Sequence, residues 1–469
     1  MKIYNTMTRR KEDFVPITPG EIKMYTCGQT VYNDIHIGNA RFYVAFDAIR
    51  RYMEYKGYRV RFVQNFTDVD DKIIRRASEE KITPQEVAEK YIRHTLEDTD
   101  ALSVTRATVN PLATEEMPEI IKMVQTLVDK GFAYAANGHV FFDTSKSAEY
   151  GKLSKKQIDE LEAGARVEVN PDKRSPMDFV LWKPDKPGDP KWESPWGTGR
   201  PGWHIECSTM AKKYLGETID IHGGGQDLMF PHHENEIAQS EAANGAEFAR
   251  YWMHSGIITS GHKKMSKSVG NFSTLREVAE KFPYDVIRFF FLSGHYRMPI
   301  EYSEELLASA QSGLTRIKNA RGALAFIMEN TEKPALSDAE KALLSQAERF
   351  PAGFEAAMDD DFNTADAITA IFELVRFIHS NTDVNNPGGV SRAFAEALMA
   401  QTDKLCGILG FDLSGPQQTD AEVEALIAQR QAARKNKDWA AADRIRDELN
   451  ARGIVLEDTA GGVRWSYKK

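Results

Sequence analysis

The sequence predicts an α/β protein: a parallel-sheet body interrupted by an insertion, then an α-helical bundle, then a small C-terminal α+β unit. Three observations predict it. Strand, helix and strand patterns follow one another from Lys23 to Gln64, about forty residues, which is the order of a βαβ unit. From Glu301 to about Gly410 the apolar spacing is almost wholly helical. At 469 residues the chain exceeds what one compact core usually holds, so at least three structural units are expected.

The elements follow in order. Lys23 to Thr26 reads as a strand entering a turn at Cys27-Gly28. After the loop Gln29 to Gly38, the residues Phe42, Phe46, Ile49, Tyr52 and Met53 recur at helical spacing, and Gly57 is a plausible stop. Tyr58 to Gln64 is the next strand, with Val60 and Phe62 alternating with arginines. Residues from about 105 to 200 read as an insertion, and Pro171, Pro176, Pro184, Pro187, Pro190 and Pro195 argue against regular structure in its last part. Trp203 to Leu215 has a helical pattern, Thr218 to His222 that of a short strand ending in three glycines, and a helix is expected from His232. Asn385 to Gly389 breaks the helical region, and 410–419 is a linker candidate. Asp420 to Lys469 is expected to form two helices and a strand pair.

Composition removes several classes. A hydrophobic fraction of 42% and a charged fraction of 28% are ordinary for a globular chain, and runs such as Ile287 to Leu292 are too short to span a bilayer. Met1 to Phe14 is dense in charge and lacks an apolar signal core. Three widely spaced cysteines, Cys27, Cys207 and Cys406, fit no disulfide framework and point to the reducing cytoplasm, with no membrane partner. A net charge of −9 does not advertise nucleic acid. The segment from Gln417 to Lys469 departs from this, with ten Lys and Arg against nine Asp and Glu. There Arg430, Arg434, Lys435 and Lys437 precede Trp439, a pairing of phosphate contacts with a stacking aromatic or else a solvated amphipathic helix.

Some motif matches fall away. Gly197, Gly199 and Gly202 satisfy GxGxxG but follow a Pro- and Trp-rich stretch rather than a buried strand. No GxxxxGK[ST] string occurs, and Ile237 stands where a zincin needs its second histidine.

Three constellations carry chemistry. His36-Ile37-Gly38-Asn39 opens a helix just after a strand, where free amides and a partial positive charge suit an anion, with Gly38 allowing close approach. The plain alternative is a helix cap at Asn39. His262-Lys263-Lys264-Met265-Ser266-Lys267-Ser268, flanked by Gly261 and Gly270, is a cationic loop suited to a polyphosphate, or else a solvated surface loop. His232 and Glu236 stand at i and i+4, which is metal-ligand spacing, and Cys27 and Cys207 both belong near the carboxyl edge of the sheet. Two buried cysteines and a surface His–Glu pair explain the same residues, whereas Cys406, in an apolar helical stretch, reads as a core thiol.

The strings TCGQTVYNDIHIGNAR, TDVDDKI, GRPGWHIECS, DIHGGGQDLMFPHHENEIAQSE, YWMHSG, KMSKSVGNF and KDWAAADRIRDELNARGIVLED span nearly the whole chain. Together they resemble the class I aminoacyl-tRNA synthetases, in the branch that activates cysteine; HIGN and KMSKS match the two class signatures, with Asn39 in place of the second histidine. The resemblance implies a Rossmann-like catalytic domain over 1–300, with a connective insertion at about 105–200 and a KMSKS loop at 261–271. It implies a helical bundle at 301–412 and an anticodon-binding-type domain at 420–469. It further implies that Cys27, Cys207, His232 and Glu236 bind one zinc ion per chain, and that Gly28, His36, Gly38, Asn39, Lys264 and Lys267 serve ATP, which comes with magnesium. Of these, His36, Asn39, Lys264 and Lys267 would act on the reaction, and Thr67, Trp203 and Asp227 would line the substrate pocket. The implied partners are ATP, L-cysteine and the cysteine tRNA, for a monomeric ligase that forms cysteinyl-adenylate. A cysteine ligase acting on an amino sugar and a zinc-bearing RNA-binding protein are the rivals. The former would lack the C-terminal domain, and the latter would show no cysteine-dependent ATP–pyrophosphate exchange.

Overall fold

The computed structural model of the chain describes residues 1–155, 170–261, 263–264, 273–413, 418–459 and 462–467. Most of the cationic loop, Lys267 included, lies outside the described residues. Two compact units emerge: Met1–Tyr284 with Tyr296–Tyr302, and Asp285–His295 with Ser303–Lys469.

The first unit opens with a hairpin, β1 (Lys2–Asn5) and β2 (Arg10–Asp13). Its framework is β3 (Glu21–Thr26), α1 (Ile37–Tyr55) and β4 (Arg59–Gln64), the anticipated βαβ unit, with β3 and β4 parallel and in register from Glu21 against Arg59 to Thr26 against Gln64. Alternation explains β4: Arg59 and Arg61 are exposed while Val60 and Phe62 are buried. Helices α2 (Asp71–Glu80), α3 (Pro84–Ala101) and α4 (Met117–Asp129) follow.

Next come β5 (Ala133–Ala136), β6 (His139–Phe142), β7 (Phe179–Pro184) and β8 (Gly199–Pro201), an antiparallel sheet in that order. The prolines therefore do not exclude regular structure from the last part of the insertion. Pro184 and Pro201 sit at strand ends, where a missing N–H costs least.

Helix α5 (Trp203–Leu215) leads into β9 (Ile219–Gly225), so the three glycines lie inside the strand rather than beyond it. Packing requires them: a Cβ at Gly223 would meet the Phe46 ring at 2.3 Å, and one at Gly224 the His233 ring at 2.4 Å. Helix α6 (Glu234–Asn244) begins two residues later than His232, which stands in the irregular turn ahead of it. With β10 (Ala249–Ser255) the central sheet has the order β10-β9-β3-β4, all parallel. Tyr25 and Val63 join residues of α4, α5 and α6 in one buried cluster, and α1 contacts β4 and β9. A small sheet of β11 (Ile258–Ser260), β12 (Lys263–Lys264) and β13 (Ile300–Glu301) continues from β10, and α7 (Leu275–Ala279) follows the loop.

The second unit is helical: α8 (Tyr284–Leu292, all but its first residue), α9 (Glu304–Asn330), α10 (Asp338–Ala347), α11 (Arg349–Asp359), α12 (Thr364–Asn381) and α13 (Arg392–Ile408). It ends with α14 (Gln418–Lys435), α15 (Trp439–Ala451) and the antiparallel pair β14 (Ile454–Thr459) and β15 (Gly462–Tyr467). Val423, Ile427, Leu449 and Ile454 give this tail a core of its own. Arg430 is buried, so it does not serve as the surface phosphate contact expected of it, whereas Trp439 is 60% exposed.

Candidate active site

Strands β3, β9 and β10 run parallel, so their carboxyl ends at Thr26, Gly225 and Ser255 meet on one edge, the position where open α/β sheets bind ligands. A cavity of about 600 Å³ opens there. Gly28, His36, Gly38 and Asn39 line one side, Asp227 and Ser255–Ile258 another, with Cys27, Lys72 and Trp203 also on the wall.

The N-terminus of α1 is organised by its own signature. His36 is the N-cap: its Nδ1 accepts from the amides of Gly38, at 3.0 Å, and Asn39, at 3.2 Å. Asn39 Oδ1 in turn accepts from the His36 amide at 3.4 Å, closing a capping box. The cap is thus one turn earlier than Asn39. Because Nδ1 accepts, the neutral ring carries its proton on Nε2. Gly38 makes this possible, since a Cβ there would lie 2.7 Å from the His36 ring. Gly28 is equally constrained: its amide donates to Asn65 Oδ1 at 2.9 Å, and an added Cβ would collide with the Asn65 carbonyl.

Behind the cavity the structure brings together Cys27, Cys207, His232 and Glu236, whose ligand atoms all lie within 4.8 Å of one another. The distances are 3.2 Å from Cys27 Sγ to Glu236 Oε1, 3.6 Å from Cys207 Sγ to His232 Nε2, and 3.0 Å from His232 Nε2 to Glu236 Oε1. Donors bound tetrahedrally at 2.0–2.3 Å stand roughly 3.3–3.8 Å apart, so this set fits a zinc-sized ion after small movements. A second group overlaps it, Cys27 and Glu236 with His222 and His233. His222 Nε2 lies 2.8 Å from Glu236 Oε2, and His233 Nε2 3.4 Å from Cys27 Sγ. His204 Nδ1 lies 2.8 Å from His232 Nδ1, and His254 Nε2 2.8 Å from His233 Nδ1. The sequence reading missed these four histidines. The doubled His232-His233 and the histidine before the glycine triplet were the available signals.

The cluster is charged although buried. Burial pushes the Glu236 carboxyl up, yet His222 and His232 hold it well below the usual carboxylate range. Burial pushes His232 down, but Glu236 and Cys207 carry it up to about 10. Burial opposes ionisation of Cys207, and the hydrogen bond with Cys27 and the neighbouring His232 bring its thiol down to about 6. Burial together with Cys207 pushes the Cys27 thiol well up. A soft, partly ionised S₂NO donor set of this kind suits a thiophilic cation.

The other expected positions are distributed around it. Trp203, 38% exposed, stacks on His232 with ring centroids 4.3 Å apart. Thr67 is buried and donates to Glu206 Oε2 at 2.8 Å, and Asp227 sits in the short turn after β9. The backbone of Lys264 forms β12, paired with Thr259. Residues just beyond the undescribed part of that loop meet the first signature: the Ile37 amide donates to the Ser273 carbonyl at 3.3 Å, and the Leu275 amide to that of Ile35 at 2.8 Å.

Comparison with known proteins agrees with this geometry. Residues 13–312 match the family model described as the tRNA synthetases class I (C) catalytic domain, 353–414 the DALR domain, and 417–465 the cysteinyl-tRNA ligase anticodon binding domain. The chain is 53% identical to a cysteine–tRNA ligase of Lachnospira eligens over 474 residues, covering 99% of this chain and 100% of that one. It is 54% identical to that of Clostridioides difficile, with 99% of both covered. Among solved structures, methionyl-tRNA synthetase of Mycobacterium tuberculosis superposes with a TM-score of 0.60 at 17% identity, over 90% of this chain and 96% of that one. A leucyl synthetase of Agrobacterium radiobacter does so at 0.60 and 11%, over 86% and 88%.

Proposed function

The chain belongs to the cysteine–tRNA ligase family of class I tRNA synthetases, and from that premise we propose how its residues divide the work. The reaction is ATP-dependent: cysteine and ATP yield cysteinyl-adenylate and pyrophosphate, and the cysteinyl group then passes to the terminal ribose of the cysteine tRNA. The observation that carries the assignment of parts is the Cys27, Cys207, His232 and Glu236 set standing against the cavity at the sheet edge.

In this reading ATP, with magnesium, lies along the N-terminus of α1. The His36 ring, its Nδ1 committed to the helix amides, offers Nε2–H to the phosphates, while Asn39 holds the cap and supplies no charge. Gly28 and Gly38 keep the main chain close to the nucleotide. Lys264 and Lys267 are assigned to the departing pyrophosphate, where stabilising developing charge lowers the barrier. No covalent enzyme intermediate is needed, because positioning and electrostatics suffice for this transfer.

Cysteine lies at the other end of the cavity, against Trp203 and Asp227, while Thr67, buried and bonded to Glu206, is off the cavity lining. Cys27, Cys207, His232 and Glu236 hold one zinc ion, which when bound supplies a soft centre that prefers a thiolate to an alcohol. That preference matters because cysteine and serine are near-isosteres, and pocket shape alone separates such pairs by only about 10- to 200-fold. The segment matching the anticodon-binding model takes the tRNA and argues against the amino-sugar ligase. We further read the protein as a cytoplasmic monomer; no helix among the described residues is long and apolar enough to cross a membrane.

Cysteine-dependent ATP–pyrophosphate exchange, followed by charging of the cysteine tRNA, tests the whole reading. Exchange with serine at a comparable rate, or exchange without tRNA charging, would count against it.

A further inference from the structure

Arg41, on the second turn of α1, is a cation the fold has buried, 1% exposed. Its Nη1 donates to the carbonyl oxygens of Gly256 and Ile257, each at 2.9 Å. Its Nη2 donates to that of Tyr296, at 3.2 Å, and to that of Met298. Burial lowers its pKa to about 10, which leaves it protonated at neutral pH.

The acceptors come from two stretches of chain. Gly256 and Ile257 form part of the cavity wall and run directly into β11. Tyr296 and Met298 lead into β13, which pairs in parallel with β11. The two stretches touch main chain to main chain: a Cβ at Gly256 would fall 2.5 Å from the Met298 carbonyl and 2.6 Å from that of Arg297. Only a planar fork of donors reaches four carbonyls in this layout; an ammonium has three donors on one atom.

We propose that Arg41 is a positioning residue for adenylate formation: through these four carbonyls it sets the separation between the N-terminus of α1, with His36, Gly38 and Asn39, and the Gly256–Ile258 wall facing it. The inference rests on the reading that ATP occupies this cavity. Arg41 touches no reacting atom. It acts by holding two nucleotide-contacting surfaces at one spacing, and small misplacements of such surfaces are costly.

The test is exchange kinetics on the full-length chain with Arg41→Gln and Arg41→Lys, varying ATP and cysteine separately, with thermal melts alongside. Arg41→Gln should lower kcat/KM for ATP by about 10²-fold while the KM for cysteine stays within about twofold. Arg41→Lys should recover part of the loss, because charge and some donors remain. Should Arg41→Gln fail to fold, Gly256→Ala, whose added methyl would press on the Met298 and Arg297 carbonyls and part the same two stretches, must show the ATP-selective loss. The proposal is overturned if the ATP and cysteine constants worsen together in step with the melting temperature, if Lys does no better than Gln, or if Gly256→Ala leaves ATP kinetics unchanged. An unaltered chain without cysteine-dependent exchange would instead remove the functional reading, and this inference with it.

Discussion

Position 36 puts a histidine where helix N-caps usually carry Ser, Thr, Asp or Asn. Its Nδ1 takes two amides, so the residue has a structural duty separable from any catalytic one. His36→Ala should cost about 1 kcal/mol of stability from the lost cap. Its activation rate should also fall, by about 10²–10³, the size seen when one preorganised donor is removed. His36→Asn should keep the stability, since Asn caps well, and still lose rate, though less. Melting curves beside exchange rates decide this; full activity in the Asn variant would reduce His36 to a cap. At position 207 the thiol is poised toward ionisation, at 406 it is not: burial pushes Cys406 well up. Cys207→Ser should weaken metal binding by more than the roughly 10–100-fold that loss of a supporting residue costs, and cysteine activation with it. Cys406→Ser should leave metal content intact and cost about 1–3 kcal/mol for a buried hydroxyl. Metal analysis of both purified variants checks the assignment, and loss of metal from the Cys406 variant would refute it.

Among the elements, β9 shows why a strand tolerates three glycines. Its two edges pair with β3 and β10, while side chains from α1 and from the turn before α6 press onto its backbone. Gly223→Ala should therefore destabilise the protein by about 1–3 kcal/mol through overpacking against Phe46. Gly322, inside α9 with open space where a Cβ would go, is the contrast. Gly322→Ala should stabilise by about 0.5–1 kcal/mol by removing a flexible residue from a helix interior. Chemical denaturation measures both, and equal effects would show that backbone freedom rather than space governs β9. The Pro-rich stretch ahead of β8 teaches the complementary lesson. Proline marks where ladder hydrogen bonds are absent, and at strand ends that is compatible with a sheet.

For the whole molecule, the tail from α14 to β15 has core residues of its own, although β15 also touches α9. A chain ending near Gly415 should retain cysteine-dependent exchange near the intact level and lose most tRNA charging, with anticodon changes in the tRNA no longer mattering. Normal charging by the shortened chain would take the anticodon role from the tail. Metal removal should act on the opposite end of the chemistry. Chelation should abolish cysteine activation while ATP still protects the protein against heat, and zinc should restore it; activity that persists in metal-free protein would disprove zinc's part in selection.

The sequence by itself determined the βαβ start, the helical second half and the two signatures, because each rests on local periodicity or on contiguous residues. It also narrowed the metal candidates to two cysteines and a His–Glu pair. What it left open was whether Cys27 and Cys207 meet, since residues so far apart carry no spacing signal. Only the tertiary structure decided that, by setting the end of β3, the start of α5 and the turn before α6 side by side. The same holds for His222, His233 and His254, which look like strand and turn residues until the fold sets the first two beside Glu236 and Cys27 and the third against His233. Arg41 is the extreme case: nothing in its local pattern tells a buried fork from a solvated arginine, because its partners are main-chain carbonyls of stretches that reach it only when the chain is folded.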